Sequence, residues 1–379
     1  MKFMQFFLTG THNVQTRSLK IILCLVLMVA SGDLFCELNS VVLVTGGAGY
    51  IGSHACKALK NAGFTPVVYD SLALGEREAV KWGPLAVGDL LDAEALDKAF
   101  TKYKPFAVLH FAGLRNVGES VKDPLRYYTN NVASSINLLN VMRKHRVEYI
   151  IFSSSCTVYG NCPLNPIPEE YPQAPINPYA TSKHVVERMI QDYAHVHPLK
   201  YMILRYFNVA GVEIEAGLKR SSHSYNFLIP QAMLAILQSD KPLQLFGIDY
   251  PTPDGTSIRD YIHVQDLVRA HVMALQHLQA GGASNELNLG TGKGYSVLEI
   301  LQTIEKVACK KVPYEIKPRR EGDMPQAVAE VKKAKEVLGF ETDSSDLLTI
   351  IQSEWDSLSN HFRKTMYDPL NQIGRGESN

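Results

Sequence analysis

Tyr179 and Lys183 form a Tyr-x-x-x-Lys pair, and among the 18 tyrosines of the chain only Tyr179 has a lysine four residues on. Asn177-Pro178, just ahead of them, reads as an N-cap followed by proline in the first helical position. On such a helix, residues four apart share a face. The chemistry this permits is proton abstraction by a phenolate. A free tyrosine titrates near 10, so acting as a base at neutral pH needs a shift of roughly three units, or about 4 kcal/mol. One ammonium at ~4 Å in an effective dielectric of ~20 supplies about that much. Upstream, Phe152-Ser153-Ser154-Ser155-Cys156-Thr157 closes an apolar run. A hydroxyl there can share a substrate proton with Tyr179. Ser155 is the candidate, while Ser153 and Ser154 read as hydroxyls that satisfy local backbone.

A second constellation concerns phosphate. Thr45-Gly46-Gly47-Ala48-Gly49-Tyr50-Ile51-Gly52 follows an apolar run and opens a helical stretch. Glycines at 46, 49 and 52 permit a sharp turn, a close approach to a pyrophosphate and tight helix–strand packing. The helix start then offers free N–H groups to the phosphates. Asp70 lies 18 residues after Gly52 at the end of the next apolar run. Its carboxylate can accept from an adenosine ribose and would repel a 2′-phosphate, which favours NAD over NADP. Gly88-Asp89-Leu90 closes a third run, where a carboxylate can meet the adenine edge.

The elements that must position these residues are short β-rich runs alternating with helix-length stretches. The runs are Val41–Thr45, Pro66–Asp70, Ala107–Ala112, Tyr149–Ser153 and Met202–Phe207; Ser53–Ala62 and Ser134–Arg146 have helical patterns. The runs are apolar without alternation, as expected of strands buried on both faces of a parallel sheet. The fold class is therefore α/β, a Rossmann-type doubly wound parallel sheet. After Asn208, glycine and proline become frequent and the alternation blurs. The expected division is an N-terminal extension over 1–40, an NAD-binding domain over 41–208 and a smaller mixed α/β substrate domain over 209–358. Some segments of the last return to the sheet, 359–379 form a C-terminal tail, and its last dozen residues, with Gly374 and Gly376, read as a loose terminus.

Composition narrows the partners. Hydrophobic residues are 46% and charged residues 20%, and 38 basic residues balance 38 acidic ones. Neither a nucleic acid nor a membrane is expected as partner. The six cysteines (Cys24, Cys36, Cys56, Cys156, Cys162 and Cys309) show no metal spacing and no disulfide framework, and a reducing compartment fits. Lys2, Arg17 and Lys20 precede an apolar run from Ile21 to Ala30 that is signal-like but too short for a bilayer. A cytoplasmic location is expected because NAD is drawn from a cytosolic pool.

With these residues assembled, the chain resembles the extended short-chain dehydrogenase/reductase family, and within it the UDP-hexose 4-epimerases. The resemblance runs from about Val41 to Trp355. It rests on TGGAGYIGSH (45–54), HFAGLRNVGESV (110–121), YYTNNV (127–132), FSSSCTVYG (152–160), NPYATSK (177–183), LRYFNVAG (204–211), DYPTPDGTSIRDYIHVQDL (249–267) and PRREGDMP (318–325). It implies that Tyr50, Ile51, Asp70, Asp89, Leu90, Phe111, Ala112, Gly113, Leu114, Arg115, Asn130, Ser155, Lys183 and Phe207 line the NAD site. It further implies Tyr179 as base, with Ser155 on the sugar 4-oxygen. Asn208, Asn226, Leu228, Gln244, Phe246, Arg259, Arg320 and Asp323 would hold the UDP-sugar. Two arginines suit bidentate contact with a diphosphate. The implied reaction is interconversion of UDP-glucose and UDP-galactose through a transient 4-keto sugar, in a protein that is often a homodimer.

Two positions depart from the pattern. Phe227 stands where the family often has asparagine or histidine, which puts one uridine-side contact in question. Ala327 stands where some members carry a tyrosine that crowds the sugar 2-substituent, so UDP-N-acetylglucosamine is expected as a further substrate. A 4,6-dehydratase would need an acidic pair soon after the serine position, where this chain has Cys156-Thr157. A UDP-uronate epimerase or decarboxylase would share the same frame and differ in its product. A non-catalytic NAD sensor would share the glycine-rich turn, but such proteins usually lack the catalytic tyrosine or lysine, and here Tyr179 and Lys183 are both present.

Overall fold

The structure, a computed structural model, describes residues 40–218, 225–238, 241–320 and 322–366. The readings of the N-terminal extension and of the last dozen residues lie outside the described residues. The first half of the chain gives β1 (Val41–Thr45), α1 (Tyr50–Asn61), β2 (Thr65–Asp70), β3 (Leu85–Val87), α2 (Ala93–Tyr103) and β4 (Ala107–His110). Two short helices, α3 (Val117–Lys122) and α4 (Pro124–Tyr127), lead through a π-turn at Tyr128–Ala133 into α5 (Ser134–His145). Then come β5 (Tyr149–Ser155), α6 (Pro178–Val196) and β6 (Lys200–Tyr206). The second half contributes β7 (Asn208–Ala210), α7 (Leu228–Gln238), β8 (Leu243–Phe246), β9 (Ile258–His263), α8 (Val264–Gln279) and β10 (Asn285–Leu289). It ends with β11 (Gly294–Ser296), α9 (Val297–Ala308), β12 (Tyr314–Lys317), β13 (Gln326–Ala327), α10 (Lys332–Leu338) and α11 (Leu347–Met366).

Local chemistry sets the helix starts. Asp92 caps α2 by accepting from the amides of Glu94 and Ala95, and Ser296 with Glu299 forms a capping box on α9. Asn177 accepts from the Ala180 amide at 2.9 Å with Pro178 at the first position, as its sequence predicts. Such caps are worth about 1 kcal/mol each.

Seven parallel strands form one sheet in the order β10-β6-β5-β4-β1-β2-β3. Alternate residues of β1 serve opposite faces. Val42 and Val44 pack with Ala55 and Leu59 of α1 and with the buried side of α8; Leu43 packs with α2, α5 and α6. The strand order reverses between β1 and β4, where Thr45 pairs with His110. Ligands of such sheets bind in the crevice beyond the strand ends at this reversal. A second sheet is built on β9, with β7 and β13 parallel to it and β11 antiparallel, and β8 pairs with β12. A third apolar cluster, from α7, α9, α11 and β8, supports these strands.

Sequence and structure differ at several ends. Strand β5 runs to Ser155, so Ser153 and Ser154 pair with Leu204 and Arg205 instead of ending the strand. Phe207 lies past β6, and β4 stops at His110. Helix α11 continues to Met366, so residues 359–366 of the expected C-terminal tail extend a helix and Ser359 is buried. Its apolar side, with Ile350, Ile351 and Leu358, closes the third cluster and carries the helix onward.

Candidate active site

The glycine-rich turn has the geometry its composition predicts. Gly46 adopts φ +69°, and a Cβ there would lie 2.7 Å from the Ala112 amide nitrogen. At Gly52 a Cβ would collide with the Gly46 carbonyl oxygen. Gly49 is the N-cap of α1 and supplies no side-chain cap, so the first amides of α1 face outward for an anion. Asp70 is buried and braces the turn: one carboxylate oxygen accepts from the Ala48 amide at 3.0 Å, the other from the Leu72 amide at 2.8 Å. These residues fit a dinucleotide. The buried hydroxyl of Tyr50 donates to the Gly211 carbonyl, and its backbone stands at the helix start. Leu90 is likewise buried in the sheet core, whereas Asp89 is exposed and accepts from the Leu91 amide at 2.9 Å.

The catalytic candidates meet at the carboxyl end of β5. Tyr179 and Lys183 occupy the first two turns of α6. The Lys183 ammonium is buried, donates to the Ser153 carbonyl at 2.8 Å and lies 4.9 Å from the centre of the Phe152 ring. Burial pulls its pKa down to about 8, against the carboxylate of Glu187. The phenol of Tyr179 is raised above its ordinary value by burial; its hydrogen bond with Ser155 and the Arg115 guanidinium act in the opposite direction, and Cys156 adds to the rise. Desolvation thus outweighs the lowering by Ser155 and Arg115. Ser155 Oγ also accepts from Thr157 Oγ1 at 3.0 Å. Ser154 donates to Glu187, in keeping with a structural hydroxyl.

Sequence reasoning missed the buried polar groups that hold this arrangement. Asn131, inside the π-turn, accepts from the Leu114 amide at 2.8 Å and donates to the Leu114 carbonyl at 3.0 Å and to Ser182 at 2.9 Å. It ties the loop of Phe111–Arg115 to α6. Asn130, the expected residue, also accepts from the Leu114 amide, at 3.2 Å. Beneath Lys183, Arg205 pairs with Glu187 at 2.8 Å, both buried, and Arg205 also reaches Tyr159 at 3.0 Å. His110 bridges Thr45 at 2.7 Å and Ser135 at 3.0 Å, and burial with the nearby Lys183 charge keeps it neutral, its pKa lowered to about 3. An arginine inside an apolar strand and two consecutive asparagines were the available signals.

The residues expected to hold a second ligand come from the second half of the chain. Arg259 lies on β9 opposite Ala327 of β13 and Tyr295 of β11. The neighbouring Asp260 fixes that strand by accepting from the amides of Thr291, Gly292 and Ala329 at 2.8, 3.0 and 3.2 Å. Arg259 acts on Cys156, whose thiol burial pushes up to about 12, so this cation reaches the end of β5. The Arg320 guanidinium stacks 4.0 Å from the centre of the Phe246 ring, and Gln244 sits on the exposed side of the same strand. The Asp323 amide bonds to the Arg320 carbonyl at 3.3 Å. Asn208 lies on β7 against Tyr261, and Phe207 packs with Ala327 and Val158. Asn226 and Leu228 flank the exposed Phe227, whose ring lies 4.9 Å from the Arg115 guanidinium. The departure at 227 therefore joins the start of α7 to the loop after β4. Among the described residues no cluster of His, Cys, Asp and Glu could hold a metal, and no helix is long and apolar enough to cross a membrane.

A phosphate-binding turn at the sheet reversal, facing a Tyr-Lys-Ser constellation, defines a nucleotide-dependent oxidoreductive enzyme of the doubly wound class. Residues 42–290 match the NAD dependent epimerase/dehydratase family, and the chain belongs to it. It is 46% identical over 318 residues to the UDP-glucose 4-epimerase of Rhizobium leguminosarum bv. trifolii, covering 84% of this chain and 97% of that protein. Among solved structures, the UDP-glucose 4-epimerase of Brucella ovis in complex with NAD is 47% identical with a TM-score of 0.82, covering 85% of this chain and 98% of that one. The UDP-Glc/GlcNAc 4-epimerase of Campylobacter jejuni is 34% identical with a TM-score of 0.75, covering 85% of this chain and 100% of that one.

Proposed function

We propose that this protein is an NAD-dependent UDP-hexose 4-epimerase that interconverts UDP-glucose and UDP-galactose in galactose metabolism. The observation that carries the reading is the meeting of Tyr179 and Ser155 at the end of β5, with Lys183 buried behind them, at the edge that also bears the glycine-rich turn. Bound NAD supplies an oxidant that accepts hydride from the sugar carbon and gives it back. The side chains do the rest. Tyr179 Oη takes the proton of the sugar 4-hydroxyl and later returns it, and Ser155 Oγ shares that hydrogen bond so that the proton has a defined path. Lys183 holds positive charge behind the phenol and bonds a ribose hydroxyl of the cofactor. Asp70 meets the adenosine ribose. Arg259 and Arg320 grip the diphosphate, while Asn208, Asn226, Leu228, Gln244, Phe246 and Asp323 hold the nucleoside side. Inversion requires the hexose to present either face, so a firm grip on UDP with few contacts to the sugar suits the task.

The enzyme would act in the cytoplasm as a homodimer with a UDP-sugar as its small-molecule partner. Incubation with UDP-glucose, with products separated by chromatography, should yield UDP-galactose and no carboxylated product. Tyr179→Phe should lower kcat by about 10²–10⁴-fold, the usual contribution of a positioned base. Full turnover in that variant, or a UDP-uronate as the converted substrate, would refute the proposal.

A further inference from the structure

Tyr250 sits in the loop between β8 and β9, and its position is costly to explain by packing alone. It is 4% exposed, and among the described residues its hydroxyl is the one buried side-chain polar atom without a hydrogen-bond partner. Buried hydroxyls are nearly always paired, because an unpaired one forfeits its hydration for nothing. The ring is closely accommodated. The Arg319 guanidinium lies 4.3 Å from its centre, and Gly247, at φ +79°, leaves the space that a Cβ would take only 2.6 Å from Tyr250 Cε2. The backbone fixes the loop as well, since the Tyr250 amide donates to the Gly255 carbonyl at 2.9 Å. Alongside burial, the charges that act on this hydroxyl are those of Asp323, Arg259, Arg319 and Arg320. Arg319 is already paired with Asp249 at 2.7 Å and Asp323 is negative, so the positive charge left for an anion is that of Arg259 and Arg320, beside a phenolic O–H able to donate to a phosphate oxygen.

We infer that the Tyr250 hydroxyl is a further substrate-positioning group, donating to the diphosphate of the UDP-sugar between Arg259 and Arg320. The inference rests on the epimerase reading above. Binding then does two things together: it pairs a donor that is unpaired in the free protein, and it fixes the phosphates without touching the hexose. A group of this kind strengthens the grip on UDP while leaving the sugar free to turn.

The test is Tyr250→Phe, which keeps the ring and its stack on Arg319. Calorimetric titration of the NAD-bound enzyme with UDP and, separately, with uridine is the direct measurement. Loss of a hydrogen bond to a charged group should weaken UDP by about 10- to 100-fold. Uridine affinity should be unchanged, KM for UDP-glucose should rise in parallel with the UDP constant, and kcat should stay within about twofold. Thermal unfolding of the substrate-free variant should occur at or above the wild-type temperature, because no protein partner is lost. Unaltered UDP affinity would overturn the inference. So would equal weakening of UDP and uridine, or a fall in unfolding temperature with no selective loss for UDP. Wild-type enzyme that binds neither UDP nor UDP-glucose would instead refute the epimerase reading itself.

Discussion

Lys183→Met should destroy turnover and at the same time make the protein more stable at neutral pH. In the fold the lysine ionises near 8, against 10.5 for its ordinary value, because burial disfavours the ammonium. At 1.36 kcal/mol per pH unit, holding it charged costs the folded state on the order of 3 kcal/mol. Below about pH 8 it is charged in both folded and unfolded chains, so the whole penalty is present. Between about 8 and 10.5 the unfolded chain binds the extra proton, so the penalty shrinks as pH rises, and above that window it vanishes. Methionine keeps an unbranched stem against Phe152 but gives up the bond to the Ser153 carbonyl, worth about 1 kcal/mol. A net gain of about 1–2 kcal/mol at pH 7 is left, or roughly 1–3 °C at an unfolding entropy of about 2.1 cal/mol/K per residue. Scanning calorimetry of both proteins stripped of NAD at pH 7 and pH 10, beside a turnover assay with NAD restored, reads all of this. A variant that melts below wild type at pH 7, or a difference that does not shrink at pH 10, would refute the reasoning.

Arg205→Met should destabilise by about 3–5 kcal/mol, because Glu187 would remain buried without its partner, and denaturant titration reads the loss. Ala327→Tyr should abolish turnover of UDP-N-acetylglucosamine while sparing UDP-glucose. Ala327 is buried against Phe207 and Tyr159 and paired with Arg259, so a larger ring must turn toward the ligand side, at about 1–3 kcal/mol of overpacking. Parallel assays with the two sugars check it, and an unaltered preference would count against the room ascribed to alanine at this position.

What can be read from the chain is whatever has a local signature. The apolar runs of β1, β2 and β4 announce a parallel sheet because both faces are buried, and Asn177-Pro178 announces the start of α6 because capping is settled within four residues. The glycine turn is legible for the same reason. Long-range pairings are not. Nothing near Arg205 says that Glu187 lies across from it, and the double role of Asn131 depends on a π-turn that shifts which asparagine points inward. The end of α11 escapes such a reading because the glycines beyond it suggest a loose segment, while its apolar side continues to cover the third core.

The Tyr-Lys pair shows how burial works against charge at this site. Counting the ammonium as a nearby charge predicts an acidic phenol. The burial that brings the two together, however, penalises each ion, raising the tyrosine and lowering the lysine. Phenolate and ammonium formed together repay part of the desolvation that either would suffer alone. Where two such ions interact, a pH–rate profile reports values belonging to the pair and not to either residue. The Arg205–Glu187 ion pair beneath then has a reason to be there. Glu187 favours the charged lysine, and Arg205 with Ser154 holds its carboxylate in place. On the proposed mechanism, proton abstraction by Tyr179 depends on charge arranged two layers deep, not on the spacing of two residues on a helix.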